Sequence, residues 1–241
     1  ADIYGSLVIE KDNIVVDGAN HSLQGQSGTS SKGVDLSGRS NVTITNMKIR
    51  DFDYGVFLYS TSYSVLSQND LTNNNYGVFV EYSTNNTISG NNVKNNEYGG
   101  IELSSSNYNS IYGNDITAHG HYGIYVYDSS NNNIAGNNIA NNEHGIGLES
   151  SSNNSVYHNN FVGNTYQVYD LSWEDTTISG SINVWDDGYP SGGNYWSDYE
   201  EIYPDAEELD GSGVWKTLYV IDESNQDNYP LSASARAIPL E

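Results

Sequence analysis

The chain has 241 residues, a formal net charge of −23 and no cysteine. A surface this negative repels phosphate backbones, which argues against nucleic-acid binding, and the absence of cysteine excludes a disulfide framework. Only 36% of residues are hydrophobic, yet 21 tyrosines and 4 tryptophans set the chain apart from disordered sequence, so it must fold around something other than a large ordinary core.

No apolar run approaches membrane-spanning length, so this segment is expected not to enter a bilayer. A mature secreted domain without its signal and anchor would have this composition; so would a cytoplasmic protein. Of the 31 acidic residues 16 lie from Asp170 onward, against Lys216 and Arg236 as the only bases there. That balance suits a high-salt or calcium-containing exterior.

In chain order, six segments follow a glycine in register: GVDL at Gly33, GVFL at Gly55, GVFV at Gly77, GIEL at Gly100, GIYV at Gly123 and GIGL at Gly145. Their spacings are 22, 22, 23, 23 and 22 residues. A second apolar column runs through Ile44, Leu66, Ile88, Ile111, Ile134 and Val156. Five residues after each comes a third: Ile49, Leu71, Val93, Ile116, Ile139 and Phe161. Between them Asn69, Asn91, Asn114, Asn137 and Asn159 keep a fixed place. Period-two alternation within each repeat indicates short strands, none of which can bury its apolar face alone.

Stacked as coils they can, and the expected fold is all-β: a parallel β-solenoid of roughly 22-residue coils. Six or seven turns give a rod of about 30–35 Å at one strand spacing per turn. The Asn column is expected to form a hydrogen-bonded ladder between coils, and each in-phase glycine to sit at a bend or at positive φ.

The repeats "NNTISGNNVKNNEYGGIEL" and "NNNIAGNNIANNEHGIGL" resemble the NosD-like, carbohydrate-binding and sugar-hydrolase type of right-handed parallel β-helix. The later "GGNYWSDY" and "DNYPL" resemble segments that close many archaeal, especially methanogen, surface proteins. The resemblance spans about residues 8 to 231 and implies the fold and its right hand. It says little of function, since related coils occur in pectate lyases, polygalacturonases, alginate epimerases and adhesion modules. In such proteins an acidic loop commonly reads DxDGDGIGDTPY. Here it is "DAEELDGSGVWKTLY", in which Asp210 and Gly211 match while the acid expected near Val214 to Lys216 is missing.

Residues two after the glycines (Asp35, Phe57, Phe79, Glu102, Tyr125, Gly147) and four after (Tyr59, Glu81, Ser104, Tyr127, Glu149) face outward if Val56 and Leu58 face inward. This places a strip of aromatics and carboxylates along one face, with Phe57, Tyr59, Phe79, Glu81, Glu102, Tyr125 and Tyr127 as candidate carbohydrate-binding residues. Mutual stacking between coils is the structural alternative. Glu81 and Glu102, about 8 Å apart by strand spacing, are the candidate pair for a polysaccharide-degrading or modifying enzyme.

The family label mentions copper, but His21, His119, His121, His144 and His158 show no third ligand beside any pair. His144 reads as a stand-in for a stacking tyrosine, and His119 with His121 as a solvated turn. Calcium is the better cofactor candidate, at Asp205 and Asp210 among the acids of the C-terminal region.

Residues 1–182 are expected to form the coils and 183–231 a C-terminal cap packed on their end, with 232–241 a tail. Ile178 reads as the last residue to keep the column, with Ser181 taking the Asn place. Trp185, Tyr195 and Trp196 are bulky enough to plug the exposed last coil, and Gly188, Gly192 and Gly193 let the chain turn across it. The function expected is a non-catalytic extracellular or cell-surface module, structural or polysaccharide-binding. The alternatives are the enzyme above and a cell-envelope scaffold that self-associates laterally or end to end.

Overall fold

Within "YGVFLY", Val56 and Leu58 are fully buried while Phe57 and Tyr59 point away from the core, the pattern of a sheet covered on one face. A computed structural model of the chain, describing residues 2–26, 30–175 and 177–234, stacks these segments into a parallel β-solenoid. Each regular coil gives one long strand and two short ones, as in Tyr54–Tyr59, Val65–Ser67 and Asp70–Thr72. The next coil repeats them as Tyr76–Glu81, Thr87–Ser89 and Asn92–Lys94, each paired in parallel with its predecessor. Three sheets of nine, eight and seven strands result.

The long-strand sheet has eight members, more turns than the periodicity announces. Beyond the six phased segments stand the first strand, Leu7–Val8, and the last, Tyr166–Asp170, neither with an in-phase glycine; in the first coil Ile3, Tyr4, Val8 and Val15 are exposed. The core is a narrow file: Val56, Leu58, Leu66 and Leu71 in one coil, Val78, Val80, Ile88 and Val93 in the next. Few apolar side chains per coil leave much of the interior to polar groups.

Those groups form four ladders, where the sequence announced one. Asn69, Asn91, Asn114, Asn137, Asn159 and Asn194 are linked by Nδ2–H to Oδ1 bonds of 2.9–3.0 Å. Each Oδ1 also accepts the backbone N–H of the preceding ladder member, as Asn137 does from Asn114 at 3.0 Å. A second runs Asn86, Asn109, Asn132, Asn154 and Asn183. A third joins Asn74 to Asn96 and Asn142 to Asn164, with His119 between them. A fourth is built of hydroxyls: Thr61, Ser83, Ser106, Ser129, Ser151 and Ser181, each N–H donating to the next Oγ.

Several expectations change here. His119 is not in a solvated turn; it is buried, accepting the Asn96 N–H at Nδ1 and bonding the Val93 carbonyl through Nε2. Burial pushes its pKa down to about 4, so it serves as a neutral substitute for Asn. The in-phase glycines do not sit at bends. Gly55, Gly77, Gly100, Gly123 and Gly145 lie within strands, where a Cβ would come within 2.5–2.7 Å of the carbonyl oxygen below. Close approach of backbones, rather than positive φ, demands glycine there. The left-handed corners fall instead on residues such as Ser60, Tyr63, Gln68 and Asn73.

Ser181 does not take the Asn place, which goes to Asn194, and Ile178 is outside the column, since the Val184–Ser155 bridge sets Trp185 beside Val156. Trp185 and Trp196 are buried at the end of the core, Tyr195 half-buried beside them. Trp196 stacks on Phe161 of the last full coil at 4.4 Å and on Tyr219 at 4.2 Å. Gly188 and Gly192 take positive φ in the turn that leads there. Of the expected tail, residues from 235 on lie outside the described residues.

Removing one ladder side chain strands groups in two coils. Asn137→Ala leaves the Asn114 N–H and the Ile111 carbonyl without this partner, and each buried unsatisfied group costs about 1–3 kcal/mol. Urea unfolding should show a loss of at least about 2 kcal/mol for two such groups. Asn138→Ala, which removes an outward, part-buried bond to Asp115, should cost about 1 kcal/mol or less.

Candidate functional site

The outward rows fall where strand alternation puts them. Asp35, Phe57, Phe79, Glu102, Tyr125 and Gly147 are direct register partners, as are Tyr59, Glu81, Ser104, Tyr127 and Glu149. A further outward row, of which the sequence reading caught only His144 standing in for a stacking tyrosine, runs one place before the phased glycines and on to the last coil: Lys32, Tyr54, Tyr76, Gly99, Tyr122, His144 and Tyr166. Its rings stack one per coil, Tyr54 on Tyr76 at 5.5 Å, Tyr122 on His144 at 4.9 Å and His144 on Tyr166 at 5.2 Å.

The stack is broken once, at Gly99. Two strand spacings, about 10 Å, separate Tyr76 from Tyr122, and the missing ring leaves a cleft of about 350 Å³. Glu102 stands in it, with Tyr98, His121 and Tyr125 completing its walls. A second glycine holds it open. Any Cβ at Gly147 would run into the Tyr122 and Tyr125 rings. Both rings therefore lean toward Gly147, stacked on each other at 4.5 Å. The Tyr125 hydroxyl is tied to the Glu149 carboxylate on the same side.

Burial pushes the Glu102 carboxyl up to about 7, and Glu81 adds to the rise. Burial also lifts Tyr76 to about 12, with Glu102 contributing. The cleft thus carries tyrosine hydroxyls and, below pH 7, a protonated carboxyl that both donates and accepts. Among the described residues no lysine or arginine lines it, and His121 pairs with Glu143 at 3.0 Å.

The expected strip is therefore divided. Glu102 and Tyr125 line the cleft. Phe57 and Phe79 lie outside it, half-buried and stacked on each other at 5.8 Å, with Phe79 packed edge-on against Tyr76. Lys32 covers the Phe57 ring at 3.8 Å. Glu81 is half-buried on the coil before Glu102, Tyr59 meets Tyr82 edge-on, and Tyr127 is exposed on the row beyond Tyr125. The signal for the cleft was present in the sequence: from Gly55 to Gly145, Gly99-Gly100 is the one place where tyrosine or histidine does not precede the phased glycine.

Metal donors do not converge. Among the described residues no group of three or more His, Asp or Glu side chains is placed to hold an ion. Both ring nitrogens of His119 are engaged in the ladder, and His144 is sandwiched between tyrosines. There is no cysteine, and Met47 is buried in the core. This donor set does not fit copper. Asp210 accepts the Tyr189 hydroxyl and Asp205 stands exposed, so the calcium candidates are not joined by a third carboxylate. No helix among the described residues is long and apolar enough to cross a membrane.

Three solved structures show the same fold at low identity. A double mutant of the periplasmic alginate epimerase AlgG superposes with a TM-score of 0.58 at 18% identity, covering 75% of this chain and 54% of that one. AlgG itself gives 0.54 at 18%, covering 79% and 57%. The pectate lyase Pel9A gives 0.58 at 11%, covering 80% and 55%. The chain thus spans little more than half the length of these structures. No curated protein matches it by sequence. The family model described as "Periplasmic copper-binding protein (NosD)" matches residues 4–201, most of the coils and the start of the aromatic end, and the chain belongs to the NosD family.

Proposed function

We propose that this chain is an extracytoplasmic polysaccharide-binding module that takes a neutral pyranose ring between Tyr76 and Tyr122. The observation that carries this reading is the single break in the outer ring stack, one ring wide, with Glu102 inside it. Flat aromatic walls suit the apolar faces of a sugar, and hydroxyl and carboxyl edges suit its rim. The lack of lysine and arginine in the cleft among the described residues, with its one histidine paired to Glu143, favours a neutral sugar over a uronate on a chain of net charge −23. The family description and AlgG are both periplasmic, and AlgG and Pel9A are by name enzymes of polysaccharides, which supports a glycan as partner and a place outside the cytoplasm.

Gly99→Tyr continues the stack and fills the cleft, with the nearest atoms to a Cβ there at 3.5 and 3.7 Å. Calorimetric titration with neutral gluco-, manno- and galacto-oligosaccharides should show at least tenfold weaker binding by this variant and no product release by either protein. Binding that survives the substitution unchanged sinks the assignment.

Glu102 makes stability pH-dependent in a defined direction. Its pKa is raised from 4.5 to about 7, so folding takes up a proton between those values. Stability is lost as pH rises through this window, and the penalty is complete above about 7. Glu102→Gln should therefore be more stable than the parent at pH 8, with the difference shrinking toward pH 4.5. An equal difference at both values would show that Glu102 is not held protonated.

The same raised carboxyl beside Glu81 favours a second reading, a glycoside hydrolase with Glu102 as general acid. It requires release of reducing ends from a neutral polymer, abolished in Glu102→Gln. Silence across a broad panel retires it.

A further inference from the structure

The turn joining each long strand to the next short one has two left-handed residues, its first and its fourth. The fourth place runs Asn41, Tyr63, Asn85, Tyr108, Asn131 and Asn153, all at φ between 53° and 60°. The first place reads Ser60, Tyr82, Ser105, Asp128 and Ser150, at φ between 45° and 50°. Asn and Asp tolerate this conformation through local hydrogen bonding, whereas a bulky aromatic residue there is a genuine outlier. Tyr63, Tyr82 and Tyr108 nevertheless occupy it on three successive coils.

Packing does not explain them. The three residues are 62%, 58% and 60% exposed. Among the described residues no hydrogen bond or ring contact involves the side chain of Tyr63 or Tyr108, and Tyr82 meets only Tyr59, itself 41% exposed. The fold bears a backbone cost at these corners and gains no buried contact from the rings. Strain without structural return is a feature of binding surfaces.

We infer that this corner is a second glycan site, separate from the cleft: an open platform on which an extended neutral polysaccharide lies along the solenoid axis. Tyr63 and Tyr108 occupy the same place two coils apart, roughly 10 Å by strand spacing, and Tyr82 lies on the coil between. That interval corresponds to every second ring of an extended β-1,4-linked chain, whose alternate sugars present equivalent faces. No lysine or arginine occurs in the turns at 60–63, 82–85, 105–108 or 128–131, and Asp128 is exposed in the last of them, which disfavours acidic polymers. Open platforms bind long chains through several weak contacts at once, so polymer length matters here and not in the cleft.

The test replaces each tyrosine by the residue found at the same place in neighbouring coils: Tyr63→Asn, Tyr82→Ser and Tyr108→Asn together. Affinity electrophoresis in soluble β-1,4-glucan and β-1,4-mannan, with alginate as the acidic comparator, reads polymer retention. Retention by a neutral polymer should fall at least tenfold in the triple variant, while its urea midpoint holds or rises. Short-oligosaccharide binding in the cleft should be unchanged. Gly99→Tyr should do the reverse, losing the oligosaccharide and keeping polymer retention, so the two sites fail separately. Equal retention of parent and triple variant overturns the platform, as does a parent retained by neither neutral polymer. A lower urea midpoint would show that the rings support the fold instead.

Discussion

The structure depends on one repeated hydrogen bond, from the backbone N–H at a coil's corner to a side-chain oxygen in the next coil. Sheets satisfy the strands, but the corners between them turn inward with no backbone partner. A buried unpaired amide is costly, and a 22-residue coil offers three such corners to a core only a few side chains wide. Asn is the residue that completes the arrangement. At Asn91 the Oδ1 accepts from Asn69, while Nδ2 donates to the Leu66 carbonyl behind and to Asn114 ahead. Every lone pair and proton of the amide lies between two coils.

These ladders have a direction, and it determines what the C-terminal end must supply. Each N–H looks toward the next coil for its acceptor, so the last coil needs acceptors from outside the repeat. Ser181 donates to Asp170, Asn183 to Asn225, and Asn194 to Asp227. Asp227 also takes the indole N–H of Trp196 and the backbone N–H of Tyr229. Burial pushes its carboxyl up to about 7 against those three donors. The C-terminal segment is therefore a polar terminator as much as an aromatic plug: Trp185 donates its indole N–H to the same Asn225 that ends a ladder.

The fold was legible because stacking makes period visible: one register error would shift every buried valine and isoleucine at once. The Asn column was legible for the same reason. Gly55 and its equivalents were in plain view, but a glycine required for close approach and one required for positive φ look alike in sequence. His119 and the hydroxyl ladder were hidden because a ladder place is defined by the coil above and below, not by residue type. The cleft was half legible. Glu102 and Tyr125 follow from strand alternation, whereas Gly99 and Gly147 matter through side chains they lack. The row before the glycines was caught only at His144, because simple alternation counted from Val56 assigns Gly55, not Tyr54, to the outer face.

Once the ladders satisfy the interior, the outer face is released from structural duty, and this is where the chain has room to vary. In a solenoid each coil touches only its neighbours. Omitting one ring from an outer stack forfeits two ring contacts, each worth about 0.5–1.5 kcal/mol, and leaves the distant coils unaffected. Gly99 removes a ring and Gly147 gives two others somewhere to lean; together they carve a recess without disturbing a single buried residue. At the corners the logic is reversed, with tyrosine added where asparagine would suit the backbone better. Both departures lie within the span from Tyr54 to Gly147, where the coils are most regular and the ladders continuous. Local cost is tolerable there because a uniform scaffold on either side holds the deviant residue in place.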